Sequence, residues 1–290
     1  MEKAASLPNQ DSCRGYRMKN AFSVDLEDWF CAYNFVRAIP YDSWDSQILR
    51  VKKPTQRILE ILDQHNTKAT FFILGWIADR CPELIKSVAA AGHEIATHGY
   101  AHIMVKEGTE KSFEEDLVNS LRAIRRSVDV PVVGYRAPSF SVSPQIFWIF
   151  DLLAKHGIKY DSSVFPISFH PEYGAKKTSL SIHNISDALI EFPLSCFTVL
   201  GKKVPCCGGG YFRLFPYSIT AYGIRRCNKE NRPAVFYIHP WEIDVDQPRI
   251  KDISLTKRLR HYVNLDKTER RLHRLLTEFE FTTLSSILRV

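Results

Sequence analysis

The chain has 290 residues, of which 45% are hydrophobic and 24% are charged. This composition excludes a disordered or fibrous protein, and the length is enough for one large α/β domain or two small ones. The formal net charge of +7 would suit a nucleic-acid-binding protein, but the excess cations lie in Arg225-Arg226 and in residues 257–271. Such a surface is more often a solvated helix face than a phosphate track, so we expect no nucleic acid partner.

Cysteine usage and the absence of apolar runs bear on the compartment. The seven cysteines form no C-x-x-C pair, and the adjacent Cys206 and Cys207 are poorly spaced for zinc. Free thiols in a reducing compartment are the simplest interpretation. Residues 1–19 lack the apolar core of a signal peptide, and no apolar run is long enough to span a bilayer. We therefore expect a cytoplasmic protein, and the basic surface favours peripheral association with the inner membrane face.

Strands and helices alternate from residue 21 onwards. Residues 21–26 are a short apolar run that ends in acid, which is typical of a buried strand. The following elements are a loop region at 31–53, an amphipathic helix from Pro54, a strand at 69–74, a helix at 82–91 and a strand at 94–97. Such alternation predicts parallel strands joined by right-handed crossovers, and hence an α/β sheet or barrel.

The second half of the chain continues the alternation but adds long irregular stretches. The predicted elements are helices at 112–128 and 144–156, strands at 132–135, 158–160, 189–192 and 234–238, irregular stretches at 165–181 and 196–213, one long basic helix at 257–280, and a last strand with a helix at 283–288. Gly208-Gly209-Gly210 suits a chain that bends tightly around a substrate. A phosphate cradle is the alternative, but no Lys-Ser or Lys-Thr follows the glycines.

Two histidines four positions apart, His98 and His102, follow the strand at 94–97. This spacing lets both imidazoles face one point from a single turn, as the first two nitrogen ligands of a divalent metal must. A hydrolytic zinc site usually adds a third protein ligand, often a carboxylate, and keeps a position for water. Residues 23–29 form the acid-rich strand end that could supply it. Two partly exposed histidines without a metal are the alternative interpretation.

Polar residues follow four of the predicted strands, and these residues are Asp25, Glu27, Asp28, His98, His102, Arg136 and His239. Each type has a structural explanation when taken alone, since acids cap helices, an arginine pairs with a carboxylate and a histidine before proline holds a turn. Functional residues of α/β sheets and barrels nevertheless collect at the carboxyl ends of the strands. Their coincidence at one end of the sheet therefore predicts a functional site.

Four of these segments carry a specific resemblance. SVDLEDWF at 23–30, THGYAH at 97–102, GYRAPSFS at 134–141 and IHPWE at 238–242 are similar, in order and style, to motifs of the polysaccharide deacetylases, the NodB-homology group of carbohydrate esterase family 4. YDSSVFP at 160–166 and GGGYFR at 208–213 resemble the branch associated with bacterial exopolysaccharide and exosortase gene systems. The resemblance runs from about Ala21 to the C-terminus.

The resemblance implies an α/β fold, namely a distorted (β/α) barrel with about seven parallel strands. Residues 21–290 would form a single catalytic domain with a C-terminal helical region, and residues 1–20 a disordered extension, unless translation starts at Met18. It also implies a metal-dependent hydrolase, with Zn²⁺ as the expected metal. The expected substrate is a glycan, either an N-acetylated polysaccharide or its precursor, from which N-acetyl groups are removed.

The family's metal and base residues transfer onto this chain individually. His98 and His102 match the two histidine ligands, and Asp25 matches the general base. Many members have two adjacent aspartates, whereas here one residue is inserted before the next acid. Strand alternation puts Asp25 and Glu27 on one face and favours Glu27 as the carboxylate ligand, with Asp28 as the rival.

The remaining roles also follow from the resemblance. Arg136 matches the arginine that orients the base, and His239 matches the general acid, whose imidazolium Asp161 or Glu242 would steady. The residues predicted to contact the sugar are Trp29, Tyr100, Pro138, Phe140, Asp161, Gly209, Gly210, Tyr211 and Trp241. For any one of the aromatic residues, ordinary core or rim packing is the alternative.

Three other functions stay open at the level of sequence. The same site would suit an allantoinase-like hydrolase of a small cyclic amide or ureide. A metal-free glycan-binding or assembly protein is a second possibility, although decay of an enzyme normally removes at least one of the residues that are all present here. Nucleic-acid binding through the basic C-terminal helix is the third, and a steep loss of affinity with salt would reveal it.

Overall fold

The computed structural model describes residues 18–167 and 178–290. The extension predicted for residues 1–20 thus lies mostly outside the described residues, and the first strand already begins at Asn20. Residues 168–177, which belong to the irregular stretch predicted at 165–181, lie outside them as well. None of the helices in the described ranges combines the length and the apolar character that a bilayer span needs.

The strands and helices of the described ranges alternate through most of the chain. The strands are β1 (Asn20–Leu26), β2 (Thr70–Ile73), β3 (Glu94–Thr97), β4 (Gly134–Tyr135), β5 (Tyr160–Asp161), β6 (His183–Asn184), β7 (Ile190–Glu191), β8 (Cys196–Val199), β9 (Lys202–Pro205), β10 (Val235–Ile238) and β11 (Phe281–Thr282). The helices are α1 (Lys52–Gln64), α2 (Gly75–Arg80), α3 (Pro82–Ala90), α4 (Glu110–Ser127), α5 (Ile149–Lys155), α6 (Gly209–Leu214), α7 (Tyr217–Lys229), α8 (Leu255–Tyr262), α9 (Leu265–Glu278) and α10 (Leu284–Leu288).

The main sheet is a series of parallel strands in the order β10-β1-β2-β3-β4-β5-β7. β11 pairs in parallel with the start of β1, and β6 pairs antiparallel with β7 at the other edge. Strands β8 and β9 form a separate antiparallel hairpin. This half-barrel of parallel strands with surrounding helices confirms the predicted α/β barrel class and its strand number.

The register of the sheet positions the predicted site. All seven residues of β1 are buried, and β1 lies between β10 and β2. Val24 pairs with Ile238 of β10, while Leu26 pairs with Ile73 of β2. Parallel strands in this register end at the same edge of the sheet, and the chain then continues into the segments that were predicted to carry the chemistry.

Some elements differ from the sequence-based expectation. The single basic helix predicted at 257–280 is two helices, α8 and α9, because Asn264 between them takes a left-handed conformation with φ 52°. The loop region predicted at 31–53 contains short 3₁₀ turns, including Tyr41–Ser46. The helix predicted at 144–156 begins as a 3₁₀ turn, and α5 starts only at Ile149.

The prediction of an irregular stretch at 196–213 was wrong, since these residues contain the β8–β9 hairpin and most of α6. Two of the glycines in this stretch, Gly208 and Gly209, lie against β10 and not around an open space. Gly208 has φ 118°, and a Cβ at this position would lie 2.2 Å from the carbonyl oxygen of Tyr237. A Cβ on Gly209 would lie 2.7 Å from the Tyr237 ring. The close approach of two backbones explains these two glycines.

Two carboxyl groups meet inside the sheet where β5 pairs with β7. Asp161 lies opposite Glu191, and both residues are fully buried. Oε1 of Glu191 accepts a hydrogen bond from the backbone N–H of Val164 at 3.1 Å. Burial, reinforced by the neighbouring Asp161, raises the pKa of Glu191 well above its ordinary value. Of the two carboxyl groups, Glu191 is therefore the one that keeps its proton to a higher pH than an exposed glutamate does.

We predict that Glu191→Gln flattens the pH dependence of stability. In the unfolded chain Glu191 ionises above a pKa of about 4.3, whereas the folded protein retains the proton. The folded state then binds more protons, so the free energy of unfolding falls as pH rises, by up to about 1.4 kcal/mol per pH unit. Glutamine keeps an oxygen that can accept from the N–H of Val164 and carries no titrating proton. Guanidinium unfolding between pH 5 and 8 measures the difference in slope.

The exposed Glu115 provides the control for this prediction, since its side chain is 63% accessible. Glu115→Gln should leave the slope of stability against pH as it is in the wild type. A Glu191→Gln slope equal to that of the wild type would mean that Glu191 is ionised in the folded protein, contrary to the assignment.

Candidate active site

One pocket lies at the edge where β1, β3 and β10 end. Its lining residues are Asp25, Glu27, Ala32, Tyr33, Asn34, His98, His102, Ser139, Phe140, Gly210, Arg213, Tyr237, His239, Trp241 and Arg260. The polar residues come from several elements that are distant in sequence. The pocket therefore gathers most of the side chains that were predicted to carry chemistry.

Glu27, His98 and His102 form a candidate metal centre, because one ligand atom from each lies within 4.8 Å of the others. Oε1 of Glu27 accepts a hydrogen bond from Nε1 of Trp241 at 3.0 Å. Oε2 faces Nε2 of His102 at 2.9 Å and, among the described residues, it is a buried oxygen without an assigned hydrogen bond. A buried carboxylate oxygen that faces an imidazole nitrogen fits a cation between the two.

The protonation of this cluster suits metal binding. Burial alone would raise the pKa of Glu27, but the imidazoles of His102, His239 and His98 together lower it to about 2. Burial also lowers the pKa of His98 to about 4. At neutral pH the carboxylate is ionised and His98 is neutral, which are the forms that act as metal ligands.

A backbone carbonyl orients His98. Nδ1 of His98 lies 2.8 Å from the carbonyl oxygen of Arg136. A hydrogen bond from Nδ1–H to this carbonyl places the proton on Nδ1 and leaves the lone pair of Nε2 for a metal. The residue that orients the predicted base thus also fixes the tautomer of a candidate ligand.

The turn between the two histidines is held by Asp116 of α4. Its carboxylate accepts hydrogen bonds from the backbone N–H groups of Tyr100 at 2.7 Å and Ala101 at 3.0 Å. Gly99 has φ 73°, and a Cβ there would lie 2.7 Å from Oδ2 of Asp116. His102 itself has φ 54°, an unfavourable conformation that the surrounding turn must impose. No sequence pattern marks Asp116, since its position is that of any other acid on a helix surface.

Asp28, the rival carboxylate ligand, lies apart from the histidines. Its Oδ1 accepts from the backbone N–H of Trp29 at 2.7 Å. Its Oδ2 accepts from the backbone N–H groups of Arg50 at 2.6 Å and Val51 at 2.8 Å. Both oxygens hold the chain that leads into α1, so the structure brings Glu27 and not Asp28 to the two histidines.

The predicted base, Asp25, is paired with a fully buried arginine. Nη1 of Arg136 donates to Oδ1 of Asp25 at 2.6 Å and to Oγ of Ser23 at 2.8 Å. Nε of Arg136 donates to the carbonyl of Ser162 at 3.1 Å, and the guanidinium lies over the ring of Phe72 at 4.0 Å. These contacts fix the carboxylate with its second oxygen towards the pocket. Strand alternation could have identified Ser23, which lies on the same face of β1 as Asp25.

The predicted acid, His239, is held by Glu242, which lies three residues later in a 3₁₀ turn. Nδ1 of His239 lies 2.7 Å from Oε1 of Glu242. Oε2 of Glu242 accepts from Nε of Arg213 at 2.6 Å, and Arg213 also donates to the carbonyl of His261. Arg213 ends the GGGYFR segment, but its role could not be predicted, because no local sequence pattern connects α6 with residue 242.

The surroundings of His239 raise its pKa, whereas those of His98 lower the pKa of that imidazole. Burial alone would lower the pKa of His239, but the hydrogen bond to Glu242 and the charges of Glu27 and Asp25 raise it to about 9. His239 is therefore an imidazolium at neutral pH. Its Nε2 lies 3.6 Å from Oε1 of Glu27 and 3.8 Å from Oδ2 of Asp25.

Only part of the predicted sugar-contacting set lies on the pocket. Phe140, Gly210 and Trp241 line it. The others do not, and these are Trp29, Tyr100, Pro138, Asp161, Gly209 and Tyr211. Trp29 packs in the core against Phe30, and the hydroxyl of Tyr100 donates to Asp79.

Asp161 was expected to steady His239 or to contact the sugar, but it pairs with Glu191 inside the sheet because of the β5–β7 register. Tyr33, Asn34, Ser139 and Tyr237 line the pocket without having been predicted, since no polar motif marks them.

Two family models together account for most of the chain. Residues 39–160 match the polysaccharide deacetylase family, and residues 162–289 match a domain of unknown function, DUF3473. A peptidoglycan deacetylase of Helicobacter pylori is 33% identical over 122 residues, which cover 40% of this chain and 39% of that protein. A chitooligosaccharide deacetylase of a Bradyrhizobium species is 31% identical over 100 residues, which cover 34% of this chain and 43% of that protein. The matched part is thus less than half of these relatives.

Solved structures share the fold over a larger part of the chain. A Mycobacterium smegmatis protein described as a polysaccharide deacetylase has a TM-score of 0.61 at 22% identity and covers 99% of this chain and 93% of its own. A family 4 carbohydrate esterase from Streptomyces lividans has a TM-score of 0.50 at 13% identity, covering 89% of this chain and 88% of its own. Over residues 39–160 the chain is thus similar to the polysaccharide deacetylase family, and it shares the fold of these solved structures.

Proposed function

We propose that this protein is a metal-dependent hydrolase that removes N-acetyl groups from an N-acetylated polysaccharide or its precursor. The observation that carries the proposal is one pocket in which a carboxylate with two imidazoles, an arginine-held carboxylate and a protonated histidine all face the same space. The sequence relatives are named for the removal of acetyl groups from peptidoglycan and chitooligosaccharides.

The candidate centre fits a divalent metal, for which we propose zinc. One carboxylate and two imidazoles are a ligand set of catalytic zinc in hydrolases, which leave the remaining position open. When bound, the metal lowers the pKa of a water and polarises the acyl oxygen. Trp241 and the carbonyl of Arg136 hold Glu27 and His98 in their ligand orientations before any metal arrives.

Asp25 supplies the general base. As water attacks the acetyl carbon, a new C–O bond forms and one water proton passes to the carboxylate of Asp25. The hydrogen bonds from Arg136 hold Oδ1, so Oδ2 is the oxygen that takes the proton. Because Arg136 is anchored by Ser23 and Ser162 as well, Asp25 cannot turn away from the pocket.

His239 supplies the general acid. Breaking the C–N bond expels an amine, which is a poor leaving group until its nitrogen is protonated. The imidazolium of His239 carries its transferable proton on Nε2, at the pocket side of the ring, while Nδ1 stays bonded to Glu242. Transfer of this proton to the nitrogen breaks the C–N bond and releases a free amine and acetic acid, which ionises to acetate. Return of the proton held by Asp25 to His239, whose Nε2 lies 3.8 Å from Oδ2, then balances the reaction.

The direct test is acetate release by metal-stripped protein before and after zinc is added. We expect release from N-acetylglucosamine oligomers or from host exopolysaccharide only in the presence of zinc. A protein that binds one zinc and hydrolyses a small cyclic amide, but neither glycan, would be an allantoinase-like enzyme. A protein that binds glycan and neither holds zinc nor releases acetate would be a non-enzymatic binding protein. Either outcome overturns the proposal.

Two substitutions separate metal binding from base catalysis. His98→Ala removes a ligand, so we expect loss of zinc and of activity in a protein that stays folded. Asp25→Asn removes the proton acceptor and leaves the ligands, so zinc content should persist while kcat falls by about 10²–10⁴. Metal analysis after gel filtration, circular dichroism and acetate release measure the three quantities. Stoichiometric zinc in His98→Ala, or a near-normal rate in Asp25→Asn, would contradict the assignment of that residue.

A third substitution tests the role of Glu242. Glu242→Gln keeps the acceptor for His239 but removes the negative charge that holds the imidazolium, so we expect kcat to fall about 10–100-fold with little change in KM or zinc content. The same change leaves Arg213 as a buried cation without its partner, which costs about 3–5 kcal/mol of stability.

The double variant Arg213→Met/Glu242→Gln separates these two effects. It removes the buried cation together with its partner and should recover most of the lost stability, but not the lost kcat. Recovery of both in the double variant would show that Glu242 acts only through folding.

A further inference from the structure

Helix α8 exposes two leucines beside the catalytic pocket. The side chain of Leu255 is 78% exposed and that of Leu259 is 62% exposed. Residues four positions apart lie on the same face of a helix, so the two leucines form one apolar patch. A single exposed leucine needs no explanation, whereas a pair on one helix face marks a surface that gains from being covered.

The surroundings of the patch are strongly basic. Residues 249–262 contain five cations and a single carboxylate, and these are Arg249, Lys251, Lys257, Arg258, Arg260 and Asp252. Arg258 lies three positions after Leu255 and therefore borders the apolar face of α8, whereas Lys257 projects from the opposite side of the helix. Long cationic side chains keep their charges in water while their stems follow an apolar surface. An apolar face with basic flanks is the pattern of helices that lie in the interface of a membrane.

The patch is continuous with the mouth of the pocket. Arg260 of the same helix lines the pocket, and the next residue, His261, packs against Phe35 with ring centroids 4.3 Å apart. Phe35 follows Tyr33 and Asn34, which also line the pocket. Val36 is 44% exposed, and the cationic Arg37 beside it is exposed too. Two segments that border the pocket therefore each present an apolar side chain next to a cation.

We propose that α8 and residues 36–37 form a docking surface for a bilayer that contains anionic lipids, with the catalytic pocket facing the membrane. The leucines enter the boundary between headgroups and acyl chains, and the cations contact the lipid phosphates. A soluble polyanion would satisfy the cations but leave the leucines in water, which is why a lipid surface fits better. Binding to a membrane can be measured without any assay of catalytic activity, so the two functions are tested separately.

The test is co-sedimentation of the full chain with vesicles of phosphatidylcholine and phosphatidylglycerol at 70:30. We expect binding to these vesicles and little binding to phosphatidylcholine alone. Leu255→Gln/Leu259→Gln should lower the partition coefficient at least tenfold, because the apolar insertion is lost. Arg258→Gln should lower it roughly fivefold at low salt, because one cation near the lipid surface is removed.

The β8–β9 hairpin offers a matched control. Val199 and Leu200 are 42% and 97% exposed and do not line the pocket. Val199→Gln/Leu200→Gln should bind vesicles as the wild type does, and circular dichroism should show all variants folded. An equal loss in this control would overturn the assignment of the surface to α8.

Three further results would also overturn the proposal. The first is the absence of wild-type binding to anionic vesicles. The second is vesicle binding that is unaffected by the leucine substitutions and matched by binding to soluble heparin, which would indicate a polyanion site. The third is a wild-type dimer that dissociates on Leu255→Gln/Leu259→Gln while vesicles are ignored, which would assign the patch to a second copy of the chain.

Discussion

The site depends on the burial of one guanidinium group. Arg136 is fully buried, and a charge in the interior is tolerated only when it is paired and its donors are satisfied. Asp25 and Ser23 of β1 and Ser162, which follows β5, accept hydrogen bonds from this guanidinium. The three residues are therefore held around Arg136. The backbone carbonyl of the same residue orients His98. The proposed base and a candidate metal ligand therefore take their positions from one residue, and they cannot shift independently of each other.

The same pocket gives two imidazoles opposite protonation states. His98 is buried and its hydrogen-bond partner is a neutral carbonyl, so burial lowers its pKa and leaves it neutral. His239 is partly buried, and its hydrogen bond to Glu242 together with the charges of Glu27, Glu242 and Asp25 outweighs burial and keeps it protonated. Residues of one type are thus suited to two proposed roles, ligand and acid, by their different surroundings. Arg213 stabilises Glu242 as an anion, since it lowers the pKa of this carboxyl against the effect of burial.

The sequence could predict what depends on local geometry. Alternation along β1 favoured Glu27 over Asp28 as the partner of the two histidines, and the structure brings Glu27 to them. The alternation of strands and helices predicted the barrel class, because right-handed crossovers leave few other arrangements. Contacts between segments that are distant in sequence could not be predicted. No pattern shows that Asp116 caps the histidine turn, that Arg213 reaches Glu242, or that the β5–β7 register buries Asp161 against Glu191. The break at Asn264 was also missed, because it lies within a continuous basic and amphipathic pattern.

A stack of rings connects the pocket with α8. His261 of α8 lies 4.2 Å from the ring of Trp241, with 12° between the planes, and Trp241 stacks on His239 at 4.9 Å. Trp241 also donates to Glu27, and Arg213 donates to the carbonyl of His261. Since parallel rings and buried hydrogen bonds leave little room for independent movement, the position of α8 helps to determine where His239 and Glu27 lie. The helix that carries the exposed leucines is therefore part of the support of the pocket, and a contact made on its outer face is separated from His239 by only two side chains.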